Sequence, residues 1–426
     1  MKRLSVEEFR MQTPETKEFK ERKTVGRIIA EVKKRGDAAL REFTLRFDKA
    51  AINSLRVEKE KIDQAASKIS PELSSAMCEA AENIRRFAQA QLETLRDFEI
   101  EVRPGVFAGQ VIVPIERIGV YAPGGRYPLF SSLLMGALPA RVAGVREIAV
   151  CTPPGPDGDI PPAVLAAAGL CGIDEIYRVG GAQAVAAMAY GTESIRKVDK
   201  IVGPGNAYVT AAKRRVYGDV GVDLIAGPTE LLVIADLSAN PSFIAADLIA
   251  QAEHDVRAMA ILMTDSEELA EKVELKVEEY LGKIKTAEVA RESLEARGAV
   301  VLVPSISEAL ELADERAPEH LELFTSDAER QAKRLRNFGS LFIGEGAAEV
   351  LGDYTSGLNH ILPTRGAARF TGGLGVRDFL KVQTTLRVKE KGLAAIGPAA
   401  LTLAEAEGLE GHALSIKVRR AAANIL

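Results

Sequence analysis

From residue 111 onward, short β-branched runs alternate with helical runs, and this alternation restricts the fold more than any other feature. Strands separated by helices need crossover connections, and crossovers build parallel sheets covered by helices. Strands are predicted at 111–114, 118–121, 148–151, 176–179 and 200–202. The helices between them are predicted at 131–143, bent at Pro139, and at 161–170, 182–190 and 206–216. Gly227-Pro228 reads as a boundary. Beyond it, strands at 231–235, 260–263 and 300–303 alternate with helices at 241–251, 267–281 and 306–315. Two such segments in series predict an α/β chain with two Rossmann-like parallel-sheet domains. They are incomplete as dinucleotide motifs, because no G-x-G-x-x-G occurs. The nearest miss, Gly344-Glu345-Gly346-Ala347-Ala348-Glu349, ends in Glu.

The flanks differ. Residues 1–66 are charged and helical in period, with a small helical arm at the start and a helix from Thr24 that Gly36 ends. The cleanest helical signal runs over 71–98, with Ser70 as cap and Pro71 in the first turn. After Leu380 comes a basic, short-segmented tail. A helix from 396 or 398 to 407 is followed by Gly411-His412-Ala413, which leads into a second helix. A tail this small has little core of its own, so it is expected to dock on its own body or on a partner subunit.

At 426 residues and 47% hydrophobic, the chain is long enough for two or more cores. A net charge of −5 and the absence of Trp argue against a nucleic-acid surface. Cys78, Cys151 and Cys171 form no C-x-x-C pair and read as small buried hydrophobes in a reducing compartment. The start lacks an apolar signal region, and the longest charge-free stretches, 127–140 and 179–192, are short for a membrane span. A soluble cytoplasmic protein is the expectation.

The chain has only four histidines, His254, His320, His360 and His412, each within three residues of a carboxylate or carboxamide. This pattern suggests one assembled site, against the alternative of four locally satisfied rings. Gln251 and His254, one turn apart on an expected helix, would share a face and offer half a metal site. Glu319-His320 sets a carboxylate beside an imidazole, pointing to opposite faces if extended. Asp353 and His360 lie in what reads as a polar loop after the apolar run 340–344. Three glycine turns precede helices: Pro123-Gly124-Gly125, Gly180-Gly181-Ala182-Gln183 and Gly203-Pro204-Gly205-Asn206. Their free N–H groups could face a pyrophosphate, or simply make ordinary turns.

Across nearly its whole length the chain resembles the histidinol dehydrogenase family. The resemblance rests on Val120 to Gly125, Val179 to Ala184, Val202 to Asn206, Ala226 to Glu230, Gln251 to His254, Ala317 to Leu321, Gly352 to Thr364 and Glu407 to His412. It implies NAD-dependent oxidation of L-histidinol through L-histidinal to L-histidine, the last two steps of histidine biosynthesis. It implies one zinc ion per subunit held by Gln251, His254, Asp353 and His412, with no redox role. His320 would be the general base and Glu319 would activate water. Thr229, His360 and Glu407, together with the metal ligands and His320, would contact substrate. Tyr121, Gln183 and Asn206 would bind NAD.

The resemblance further implies a homodimer whose tail, residues 376–426, crosses to complete the partner's site. The remaining divisions are an arm at 1–20, a larger discontinuous domain of 21–120 with 229–375, and an inserted NAD-binding domain at 121–228. Thr229 stands where the family usually has serine, which keeps a hydroxyl but adds a methyl. The competing readings are the same chemistry on another small amino- or sulfo-alcohol, a zinc hydrolase using Glu319, and a non-catalytic assembly.

Overall fold

The computed structural model describes residues 1–11, 21–124 and 128–424. Gly125 of the first glycine turn and residues 12–20 of the arm lie outside the described residues. Two parallel sheets organise the chain. The smaller has the strands Arg117–Tyr121, Glu147–Thr152, Ile176–Arg178, Lys200–Val202 and Gly221–Val222, and the last of these was not expected. Its spatial order is third, second, first, fourth, fifth, with every pair parallel. The larger sheet repeats that order with Glu230–Ala235, Met259–Thr264, Ala299–Leu302, His320–Phe324 and Ser340–Ile343. The expected helical arm is only partly so. Helix Val6–Met11 is present, but Lys2–Leu4 pairs with Ala299, Val300 and Val301 as a sixth parallel strand.

In both sheets strand order reverses between the first and fourth strands. Such a switch point leaves a crevice where neighbouring connections leave on opposite faces. Both faces are covered, as a parallel sheet requires. Ile118, Val120, Ile148 and Val150 pack under helices Pro71–Glu93, Phe130–Val142 and Pro162–Leu170. The alternate residues Ala149 and Cys151 pack under Arg22–Arg35, Asp37–Phe47, Gly181–Tyr190 and Ala207–Val216. Each fully buried Val, Leu or Ile contributes roughly 1.5–3 kcal/mol. The helices of residues 22–93 therefore share cores with the small sheet.

One helix boundary also differs from expectation. The long helix is Pro71–Glu93, capped by the Ser70 hydroxyl, which accepts from the Leu73 N–H at 3.2 Å. The residues after Asp97 instead open the strand Phe98–Arg103, because Phe98, Ile100 and Val102 carry a two-residue period. That strand joins Val106–Pro114 and Leu380–Val388 in an antiparallel ribbon. The tail then forms a hairpin of helices Glu390–Ala406 and Glu410–Ala422. The ribbon leaves Phe98, Ile100, Val382 and Leu386 exposed, and the hairpin leaves Leu403, Leu409, Leu414 and Val418 exposed. Cys151 and Cys171 are buried as expected, but Cys78 is exposed. Among the described residues, no helix is long and apolar enough to cross a membrane.

Candidate active site

The amino ends of two neighbouring strands, Glu230–Ala235 and His320–Phe324, bring the acidic and imidazole groups together. Helix Ile306–Arg316 ends at Ala317, which adopts a left-handed conformation at φ 54°. This non-glycine conformation costs on the order of 1 kcal/mol. It turns the chain sharply into Pro318, Glu319 and His320. The Glu319 carboxylate accepts from the Thr229 hydroxyl at 2.7 Å and from the Glu230 N–H at 2.9 Å. Burial raises its pKa well above the ordinary carboxyl value, and those two bonds oppose the rise.

His320, only 4% exposed, has its Nδ1 3.2 Å from Glu349 Oε1 and 3.3 Å from the Glu230 carbonyl. Its Nε2 is buried without a hydrogen-bond partner and lies 4.0 Å from Asp353 Oδ1. Burial lowers the imidazole pKa to about 4, with Asp353 pulling it upward. The ring is therefore neutral near pH 7. Nδ1 is occupied and Nε2 is open to a ligand or proton.

Gln251 is fully buried. In the amide orientation that satisfies both ends, its nitrogen donates to Glu349 Oε1 at 2.9 Å. Its oxygen then accepts from the Glu230 N–H at 2.8 Å and from the Thr229 hydroxyl at 2.9 Å. The Thr229 hydroxyl has one proton and faces two acceptors, Glu319 and Gln251. Helix Pro241–Ala252 ends before His254, so the expected shared helical face is replaced by a turn that leaves His254 exposed. His254 and His360 both lie within electrostatic reach of His320.

Asp353 is not in a loop, as expected, but in the short helix Glu349–Tyr354. Its carbonyl sits 3.0 Å from His360 Nδ1, and His360 Nε2 is 3.3 Å from the Ser132 hydroxyl. The chain thus gathers Thr229, Gln251, Glu319, His320 and Asp353, with His254 and His360 close by. It does not bring Glu407 or His412 to them, since both line a separate pocket within the tail hairpin.

The donors suit a metal. Ligand atoms of His320, Glu349 and Asp353 lie within 4.8 Å of one another, and mixed nitrogen and oxygen donors match zinc preferences. Of the four expected ligands, Asp353 belongs to this cluster and Gln251 contacts it through Glu349.

Sequence reasoning missed Glu230, Asp247, Arg316, Glu322 and Glu349. Glu230 accepts from Arg316 at 3.1 Å in a buried ion pair. Glu349 is the residue that ends the glycine near-miss, and its N–H donates to Glu322 Oε1 at 3.0 Å. Asp247 lies one helical turn before Gln251 and Glu322 two strand residues after His320, so both spacings carried a signal. Burial raises all three of these carboxyls, with Asp247 lifted to about 7.

Tyr121, Gln183 and Asn206 line a different cavity, of about 780 Å³, at the carboxyl edge of the small sheet. The Tyr121 hydroxyl accepts from the Gly181 N–H at 3.0 Å. The Asn206 side-chain oxygen caps helix Ala207–Val216 through the Tyr208 and Val209 N–H groups, leaving its NH₂ unused by the cap. Gly203, at φ 113°, tolerates no Cβ because one would sit 2.1 Å from the Tyr121 carbonyl oxygen. A cleft of about 280 Å³ shares Tyr121, Gly124 and Asn206 with this cavity and reaches Thr229.

The family model for histidinol dehydrogenase matches residues 11–420. A histidinol dehydrogenase of Methanothermobacter thermautotrophicus is 49% identical over 395 residues, covering 93% of this chain and 92% of that protein. One from Rhizobium meliloti is 50% identical, covering 92% and 90%. The crystal structure of histidinol dehydrogenase from Elizabethkingia anophelis superposes with TM-score 0.94 at 40% identity, covering 100% of this chain and 99% of that one.

The buried carboxyls predict a pH response in chelator-treated protein. Asp247 holds a proton in the folded state between its ordinary pKa of 3.8 and its folded value of about 7. The unfolded chain has already released that proton, so stability falls as pH rises through this window. Asp247→Asn should flatten the fall, gaining on the order of a few kcal/mol over wild type at pH 8 and little at pH 4. Denaturant melts at both pH values check this, and parallel profiles for the two proteins would refute it.

Proposed function

Since the chain belongs to the histidinol dehydrogenase family, we propose that it carries out the full oxidation of L-histidinol through L-histidinal to L-histidine with NAD and zinc. The observation that carries this reading is the buried, neutral His320, whose Nε2, without a partner among the described residues, lies 4.0 Å from Asp353, while Glu319 is anchored separately by Thr229 and Glu230. Bound zinc would anchor the substrate's imidazole and amine, and bound NAD would accept hydride. Gln251, His254 and Asp353 would hold the metal from one chain, with His412 coming from a second copy.

The residues divide the work by protonation. His320 Nε2 takes the alcohol proton, while Nδ1 stays fixed by Glu349 and the Glu230 carbonyl. A neutral ring at working pH is the form that can receive it. Glu319 takes a proton from the water that adds to the aldehyde. A carboxyl lifted by burial is a stronger base than an exposed one. His360 contacts the substrate or its carboxylate product. Tyr121, Gln183 and Asn206 would hold the dinucleotide, with the N-termini of helices Gly181–Tyr190 and Ala207–Val216 beside them. Burial of the reacting groups retains the aldehyde between steps.

The tail supports a homodimer. A ribbon with apolar side chains in solvent and a helical hairpin without a large core are expected to be covered by another surface. Glu407 and His412 share one pocket on that hairpin. We assign both to the site of the second copy, and a cytoplasmic setting follows from the biosynthetic role.

Three measurements test this reading. Zinc-loaded protein should form two NADH per L-histidinol, with histidine as product. Turnover only with another amino- or sulfo-alcohol would move the substrate assignment and implicate Thr229, while no NADH from any alcohol would overturn the reading. His320→Asn should lower kcat by on the order of 10²–10⁴ with zinc content retained; unchanged kcat removes His320 from the mechanism. Finally, His254→Ala and His412→Ala proteins, each inactive, should regain activity when mixed under subunit exchange. Proven exchange without recovery would rule out crossed tails.

A further inference from the structure

The large cavity has one wall that the small sheet does not supply. Thr24, Ile28, Arg46, Phe47 and Asp48 come from the two helices that precede the sheet, Arg22–Arg35 and Asp37–Phe47. Asp48 is the C-terminal cap residue of the second helix. That is a poor place for an anion, because the negative end of the helix dipole faces it. Its Oδ2 is nevertheless buried with no hydrogen-bond partner, and burial lifts the carboxyl to about 6. A carboxylate left this way needs donors that the described residues do not provide.

The cavity also has a direction. The smaller cleft that reaches Thr229 shares Tyr121, Pro123, Gly124 and Asn206 with it, and Thr229 bonds Glu319. Hydride chemistry therefore belongs at the Thr229 end. Asp48 does not line the cleft, so it faces the remote part of a bound dinucleotide. In sheets of this kind the adenosine ribose is held by an acid about twenty residues past the glycine turn, near the end of the second strand. Here the second strand, Glu147–Thr152, runs into Pro153-Pro154-Gly155-Pro156, and these residues line the cavity without a carboxylate among them.

We propose that Asp48 supplies the missing acid, accepting hydrogen bonds from the vicinal hydroxyls of the adenosine ribose and selecting NAD over its 2′-phosphorylated form. This rests on the cavity being the NAD site. A 2′-phosphate would remove one donor and set negative charge against the carboxylate. Arg46, whose guanidinium lies 5.4 Å from the Phe47 ring centre in the same wall, would attract that phosphate once Asp48 is neutral.

The test titrates NAD, NADP and 2′-deoxy-NAD into zinc-loaded wild type, Asp48→Asn and Asp48→Ala. Both variants remove an unpaired buried charge, so their ligand-free melting temperatures should match or exceed wild type. NAD should bind wild type in preference to NADP and 2′-deoxy-NAD. Asp48→Asn should weaken NAD by roughly 10–100-fold, the loss expected for charge-assisted hydrogen bonds. It should leave NADP unchanged or tighter and no longer distinguish 2′-deoxy-NAD. Equal losses for NAD and 2′-deoxy-NAD would put Asp48 on the adenine and overturn the ribose assignment. NAD binding to both variants as to wild type would overturn the role altogether. Failure of wild type to bind NAD would instead overturn the cofactor reading beneath it.

Discussion

The arrangement depends on one unfavourable interaction held in check, the crowding of carboxyl groups where water is excluded. Glu230, Asp247, Glu319, Glu322 and Glu349 are all buried around the amino ends of two strands. Arg316 neutralises Glu230 directly, and the others are relieved by protonation or by backbone and side-chain donors. His320 sits at the centre with one nitrogen fixed and the other open. Its low proton affinity follows from the same lack of solvent that raises the acids around it. A single environment thus tunes a base and its acidic neighbours in opposite directions, as acid–base chemistry at one pH requires.

Much of the fold was legible because parallel sheets leave long apolar strand signals between helices. Leu231 to Ala235 and Ile148 to Cys151 are apolar throughout because both faces are covered. Lys2–Leu4 and Gly221–Val222 were missed because they are short edge strands with little apolar content. The helix from Pro71 was drawn too long because Leu95 and Phe98 extend its apolar period by chance. Phe98 in fact begins a ribbon strand that a helical count cannot distinguish over so few residues.

The site was legible by a different route. Motif resemblance identified Glu319, His320, Gln251, His254 and Asp353, whereas local geometry alone left them as pairs. The loop expected for Asp353 is a short helix, and the helical face expected for His254 ends two residues early. Glu349 and Glu230 escaped notice because an acid with no neighbouring histidine looks like any surface acid. Only the fold places them against the His320 ring. Asp48 is harder still, since its significance lies in an unsatisfied oxygen that no sequence pattern reports.

The two sheets have the same strand order but present opposite edges to the candidate site. The small sheet opens a cavity at its carboxyl edge, where Tyr121 and the glycine turns lie, and the large sheet gathers its polar cluster at its amino edge, where Thr229 and Glu319 lie. At the large sheet's own carboxyl end, Asp236 bridges the two loops by accepting from the N–H and hydroxyl groups of Ser238 and Ser326. Exit edge therefore meets entry edge across a seam made by Ala226 to Thr229 and Thr364 to Arg365, with Thr364 accepting from the Gly227 N–H and the Arg365 N–H donating to Glu230. On the proposed reading, the gap between the groups that would accept hydride and proton is then a property of the seam and of neither sheet. A lineage could retune that gap by replacing seam residues alone, with both hydrophobic cores untouched.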